Sequence, residues 1–241
     1  MIPACIFTYS GAALRLPWAV RGALLAGLVP VVCQDIADPL PPHVLGWLAG
    51  EGVEVRTTAF PRRGNLNGTD CAAGICRELA RACNRHGSTH AIKLDDDTLI
   101  VRRQVFTQHL PSGAVGLTWT AGRPGAYGLA YCLSRETAEA AAKHLEASEL
   151  TTDAPEDLTV WHAAKQFGTW AEVPFQLTGG GWSAFPLGAD PDEAVQRFDV
   201  LTVGNRPEGG WKDRPRQMAA MMKILVTAAA DLQRACNAVA D

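Results

Sequence analysis

The chain has 241 residues, 47% of them hydrophobic and 20% charged, with a formal net charge of -3. This is the balance of an ordinary globular protein with a full core, long enough for one large domain. It leaves no basic footprint for a nucleic-acid partner. It offers nothing to an anionic membrane surface either, and the longest apolar run, Gly22 to Cys33, is broken by Pro30 and falls short of the ~20 residues a transmembrane helix needs.

The segment PACIFTYS predicts a first strand, Ala4 to Thr8, and PWAVRGALLAGL a helix with Pro17 in its first turn. VPVVCQD follows as a strand ending in Asp35, and PPHVLGWLAGEG as a helix stopped by Gly50 and Gly52. VEVRTTAF alternates and predicts a third strand. The polar loop PRRGNLNGTD leads into the amphipathic helix CAAGICRELARACNRH, ended by Gly87, and HAIKL is the fourth strand. Strand and helix thus alternate through residue 94, the signature of an open, mainly parallel α/β sheet. Ligands of such sheets bind outside the carboxyl ends of the strands. Thr8, Tyr9, Asp35 and Asp95 to Asp97 all fall at such ends.

The second half is less regular. AVGLTWT and GLAYCLS predict strands, RETAEAAAKHLEAS a helix with Ser134 as N-cap, and APEDLTVWHAAKQFG a helix with Pro155 in its first turn and Gly168 at its end. WAEVPFQL is another strand, GGGWSAF a turn, and residues 213–241 carry apolar positions at helical spacing. A single domain is expected, with residues 213–241 as a closing helix. The seven cysteines match no zinc spacing and suit reduced core thiols in a cytoplasmic protein.

Three charged features could carry chemistry. Asp95 and Asp97 lie two apart, so strand geometry continued through them would put both on one side. Two carboxylates there suit Mg²⁺ or Mn²⁺, which could hold a diphosphate; a plain acidic turn is the alternative. Glu156 and Asp157 open a predicted helix, where the dipole alone would favour them. Arg62 and Arg63 precede a helix start that suits an anion, or they belong to a solvated loop. No P-loop, G-x-G-x-x-G or G-x-S-x-G motif occurs.

These segments, in this order, resemble the fringe and β1,3-galactosyltransferase-like glycosyltransferases of the GT-A fold. IKLDDDTLIV resembles their K-x-D-D-D-x-x-V segment, GAYGLAYCLSRETAEAA their small-residue strand and the helix after it, and APEDLTVWHAAKQFG their E-D-V-x-V-G helix. The resemblance implies a GT-A α/β domain, with residues 1–100 as its nucleotide-binding half and 101–212 as its acceptor half, that moves a sugar from a nucleotide-diphosphate donor, a UDP-sugar foremost, to a saccharide or other hydroxyl acceptor. It implies Asp95 and Asp97 at the metal, Asp157 as the general base of an inverting transfer, and donor contacts at Thr8, Tyr9, Asp35, Asn67, Lys93, Asp95 and Asp96. Three departures stand out. No membrane anchor is expected; Trp161 replaces the glycine of E-D-V-x-V-G; and no histidine follows His162 to serve the metal, a role that Asn205 could take, while Lys212 or Arg214 could hold the diphosphate. The competing expectations are a haloacid-dehalogenase-type phosphatase, because DDDTL resembles D-x-D-G-T-L without its glycine, and a nucleotide-sugar-binding protein without activity.

Overall fold

In the computed structural model the described residues are 1–60, 68–100, 103, 106, 110, 113–118, 128, 130–148, 154–174, 200–202 and 223. The first half runs β1 (Pro3–Thr8), a 3-10 turn (Ser10–Ala12), α1 (Leu16–Leu25), β2 (Val29–Asp35), α2 (Pro42–Gly50), β3 (Glu54–Thr58), α3 (Gly68–His86) and β4 (His90–Asp95). Then come β5 (Thr98–Ile100), β6 (Gly113–Thr118), β7 (Ala130–Ser134), α4 (Arg135–Glu146), α5 (Glu156–Ala164), β8 (Thr169–Pro174) and β9 (Val200–Thr202). The elements expected between residues 1 and 174 are present. The closing helix lies outside the described residues apart from Lys223.

Seven strands form one sheet in the order β3-β2-β1-β4-β7-β6-β8. β7 runs antiparallel to β4 and β6, and every other pairing is parallel. The register brings the carboxyl ends into line, with Phe7 opposite Asp95 and Thr8 opposite Gln34. Alternation along β1 sorts its side chains between two cores. Ala4 and Ile6 face the layer of α1 and α2, with Val20, Val44 and Leu48. Cys5 and Phe7 face the layer of α3, α4 and α5, with Leu79, Ala138 and Val160. At roughly 25 cal/mol per Å² of apolar area buried, these two layers are the main force holding the sheet flat against its helices.

β5 and β9 form a separate antiparallel pair that the sequence did not suggest. Each has three residues, too few to show a period. α5 stops at Ala164, four residues before the expected Gly168, and Lys165 to Phe167 close it as a turn. Ser134 accepts from the Thr137 amide as the N-cap of α4. The six described cysteines are buried and none forms a disulfide.

Candidate functional site

The site grows from the carboxyl edge of β1, β2 and β4. β4 ends at Asp95, and Asp96 and Asp97 make a two-residue turn into β5. Strand geometry therefore does not run through the triple, which corrects the expectation that Asp95 and Asp97 share one side by alternation. Asp96, the first residue of that turn, is anchored by an ion pair. Its Oδ1 accepts from Arg15 Nε at 2.5 Å, and both side chains are 8% exposed. Arg15 also donates to the Tyr9 hydroxyl at 3.1 Å and to the Gly11 carbonyl at 3.4 Å. Burial lifts the Asp96 carboxyl above the ordinary range, against the pull of the guanidinium. Arg15 was not foreseen. The signal available was a cation directly ahead of a helix N-terminus, where the dipole disfavours it unless an anion is near.

The second focus is Lys93. It is 4% exposed, and its ammonium donates to Asp95 Oδ1 at 2.5 Å and to the Gly128 carbonyl. Glu156 Oε1 lies 3.3 Å away. The Tyr131 ring covers one side, its centroid 5.7 Å from Nζ, and its hydroxyl donates to Glu156 Oε1 at 3.4 Å. Asp157 is buried beside this group. Its Oδ2 accepts from the Gly128 amide at 3.1 Å and its Oδ1 from the Leu158 amide at 2.8 Å. The structure thus brings Lys93, Asp95, Glu156 and Asp157 into one cluster across 64 positions of sequence.

One ammonium faces more negative charge than it can balance. Burial works to lower the Lys93 pKa, and Asp95 and Glu156 more than offset it, so the ammonium stays charged. The nearer carboxylate, Asp95, keeps the pair. Glu156 carries the surplus: burial pushes it up to about 7, Lys93 pulls it down and Asp157 adds to the rise. Burial raises Asp157 as well, against the two amides and Lys93. An acid at about 7 beside a second one raised by burial, at a helix start, suits proton transfer at neutral pH.

The donor set fits a hard divalent cation. Asp95 commits Oδ1 to Lys93, and its side chain is 35% exposed. Asp97 follows in the turn. Among the described residues no cluster of three metal-ligating side chains occurs. Mg²⁺ and Mn²⁺ do not need one, because one or two carboxylates suffice when phosphate oxygens and water complete the shell.

The remaining expected residues divide. Thr8 is buried at the end of β1, beside Asp96. Tyr9 is partly exposed and holds Arg15. Asp35 Oδ1 accepts from the Ala37 amide at 2.9 Å, and the Asp38 carbonyl accepts from the Ser10 amide, so the ends of β1 and β2 are tied together. Trp161 lies under Lys165, whose ammonium is 4.2 Å from the ring centroid. Asn67, Arg62, Arg63, Asn205, Lys212 and Arg214 lie outside the described residues.

No protein-family model and no curated protein matches the sequence. Solved structures do match the fold. An active-site mutant of LgtC is 12% identical with a TM-score of 0.50, covering 91% of this chain and 95% of that one. A glycosyltransferase involved in the glycosylation of the major capsid of PBCV-1 is 8% identical with a TM-score of 0.49, covering 89% and 98%. A candidate nucleotide-diphospho-sugar transferase from Desulfovibrio desulfuricans G20 is 10% identical with a TM-score of 0.48, covering 72% and 80%. The narrower likeness to fringe and β1,3-galactosyltransferase-like enzymes rests on the sequence segments alone. The sheet order, the single antiparallel strand beside β4 and the structural match together give this chain the GT-A fold of nucleotide-diphospho-sugar transferases.

Proposed function

We propose that the protein transfers a sugar from a nucleotide-diphosphate sugar, a UDP-sugar foremost, to a hydroxyl acceptor with inversion. The observation that carries this reading is the cluster around Lys93, which joins a carboxylate at the donor edge to two buried acids at the start of α5. Tyr9, Thr8 and Asp35 line the same edge for the nucleoside. Asp95 and Asp97 would hold Mn²⁺ or Mg²⁺, which supplies charge neutralisation for the departing diphosphate.

Asp157 is the general base in this reading. Its two amide bonds fix the carboxylate, and its raised pKa brings it closer to the range in which a base takes a hydroxyl proton at neutral pH. One observation favours a second assignment. Glu156, at about 7, is the better matched in acidity, although Lys93 and Tyr131 already occupy one of its oxygens. The GT-A sheet and the place of the Asp triple after the fourth strand speak against the phosphatase alternative. Among the described residues no helix is long and apolar enough to cross a membrane.

The test is a panel of nucleotide sugars scored by thermal stabilisation with and without Mn²⁺. A UDP-sugar should raise Tm only with the cation, since a ligand that binds the folded state alone stabilises it. Asp97→Asn should abolish that rise. Asp157→Asn should keep it and slow transfer by about 10²-fold or more. If Glu156→Gln is the slower variant, the base is Glu156. No stabilisation by any nucleotide sugar refutes the reading.

A further inference from the structure

Lys93 matches the lysine of the K-x-D-D-D segment, and the resemblance assigned it to the donor. Its surroundings do not suit that task. An ammonium has three protons. Among the described residues Lys93 has three oxygen neighbours: Asp95 Oδ1, Glu156 Oε1 and the Gly128 carbonyl. It is buried, and the Tyr131 ring lies beside it. The three protons of the ammonium are matched in number by oxygens of the described residues, none of them from a ligand.

The Gly128 peptide extends the connection. Its carbonyl accepts from Lys93 while its amide donates to Asp157 Oδ2 at 3.1 Å. A shift of the ammonium therefore moves both acids of α5, Glu156 by direct contact and Asp157 through one peptide unit. At the other end, a cation approaching Asp95 meets Lys93 already there. Two positive charges repel across one carboxylate, and low local dielectric strengthens the repulsion.

We propose that Lys93 is a positioning residue. It serves as an internal counter-ion that competes with the divalent cation for Asp95 and, through Gly128, clamps the Asp157 carboxylate in place. This rests on the reading of Asp95 as a cation ligand and Asp157 as the base. Donor loading and the setting of the base are then one event. With Asp95 engaged by a divalent cation, the Lys93 ammonium would be held by Glu156 and the Gly128 carbonyl.

The experiment compares the full chain with Lys93→Met. Mn²⁺ alone is titrated by electron paramagnetic resonance, Mn²⁺ with UDP by calorimetry, and the Gly128 amide is followed by hydrogen exchange. Lys93→Met should bind Mn²⁺ at least about threefold more tightly, because a competing charge is gone. The Gly128 amide should lose protection by about tenfold as its clamp loosens. A residue that only supported the fold would weaken both, so unchanged or weaker Mn²⁺ binding overturns the proposal. A wild-type protein that binds Mn²⁺ neither alone nor with UDP defeats the transferase reading instead. The amide then still decides the clamp, and retained protection in Lys93→Met overturns it. Should Lys93→Met fail to fold, Glu156→Gln keeps the ammonium and turns it wholly onto Asp95. Mn²⁺ binding should then weaken about threefold with the Gly128 amide still protected, and unchanged affinity overturns the proposal.

Discussion

Gly128→Ala probes the proposed base, Asp157, without replacing an ionisable group. A Cβ at Gly128 falls 2.9 Å from Asp157 Oδ2 and 3.3 Å from the Asp157 Cβ and Cγ. The oxygen contact is short of van der Waals separation by about half an ångström. The carboxylate must therefore rotate or retreat, and the 3.1 Å bond from the Gly128 amide goes with it. Losing a hydrogen bond to a charged group costs about 1.5–3 kcal/mol. In a chain of this size, that lowers Tm by roughly 4–10 °C. A displaced base slows the reaction by about 10²-fold, since geometry of that order governs attack. The three nearest atoms all belong to Asp157, so UDP binding with Mn²⁺ should stay within about threefold of wild type. Thermal denaturation, calorimetry and turnover of the UDP-sugar selected by the panel read the three effects. Gly46→Ala on α2, where nothing lies within 4 Å of the new methyl, is the control and should gain about 0.5–1 kcal/mol. A Gly128→Ala protein with wild-type Tm and turnover refutes the placement of Asp157.

Two further outcomes follow from the buried charges. Glu156 titrates near 7 in the folded protein against an ordinary 4.5, so the folded state holds that proton more tightly and wild-type stability falls as pH rises between those values. Glu156→Gln removes this slope and should gain about 3 kcal/mol relative to wild type between pH 5 and pH 8, read by urea unfolding; equal slopes refute it. Arg15→Met leaves Asp96 buried and unbalanced and should cost about 3–5 kcal/mol, much of it recovered when Asp96→Leu is added. A double variant no more stable than the single one would show that the pair is not the source of the loss.

The first half of the fold was legible because its apolar runs are short, regularly spaced and punctuated by Gly50, Gly52 and Gly87. The parallel register then follows from covering both faces of the sheet, and with it the alignment of Thr8, Asp35 and Asp95. The acids of α5 were visible as acids, but a helix dipole explains them equally well. What distinguishes them is contact with residues 63 and 29 positions away, Lys93 to Glu156 and Gly128 to Asp157. Neither separation leaves a local pattern. The Arg15 to Asp96 pair, 81 positions apart, was hidden for the same reason, and it anchors the first residue of the turn after β4. β5 and β9 escaped notice because three residues show no alternation.

The place of β4 in the sheet bears on how the chain can be made. β4 has β1 on one side and β7 on the other, and the oxygens around the Lys93 ammonium come partly from Gly128 and Glu156. When only the first 100 residues have left the ribosome, β4 is a sheet edge and Lys93 has Asp95 alone. Synthesis at about 5–20 residues per second leaves that edge open for several seconds before residue 156 emerges. A nascent chain with an unpaired apolar edge is a substrate for chaperones and a template for misassembly. Residues 1–100 are therefore not a separable module: cut after residue 100, they would be released with an open strand and a lysine lacking two of the three acceptors it has among the described residues.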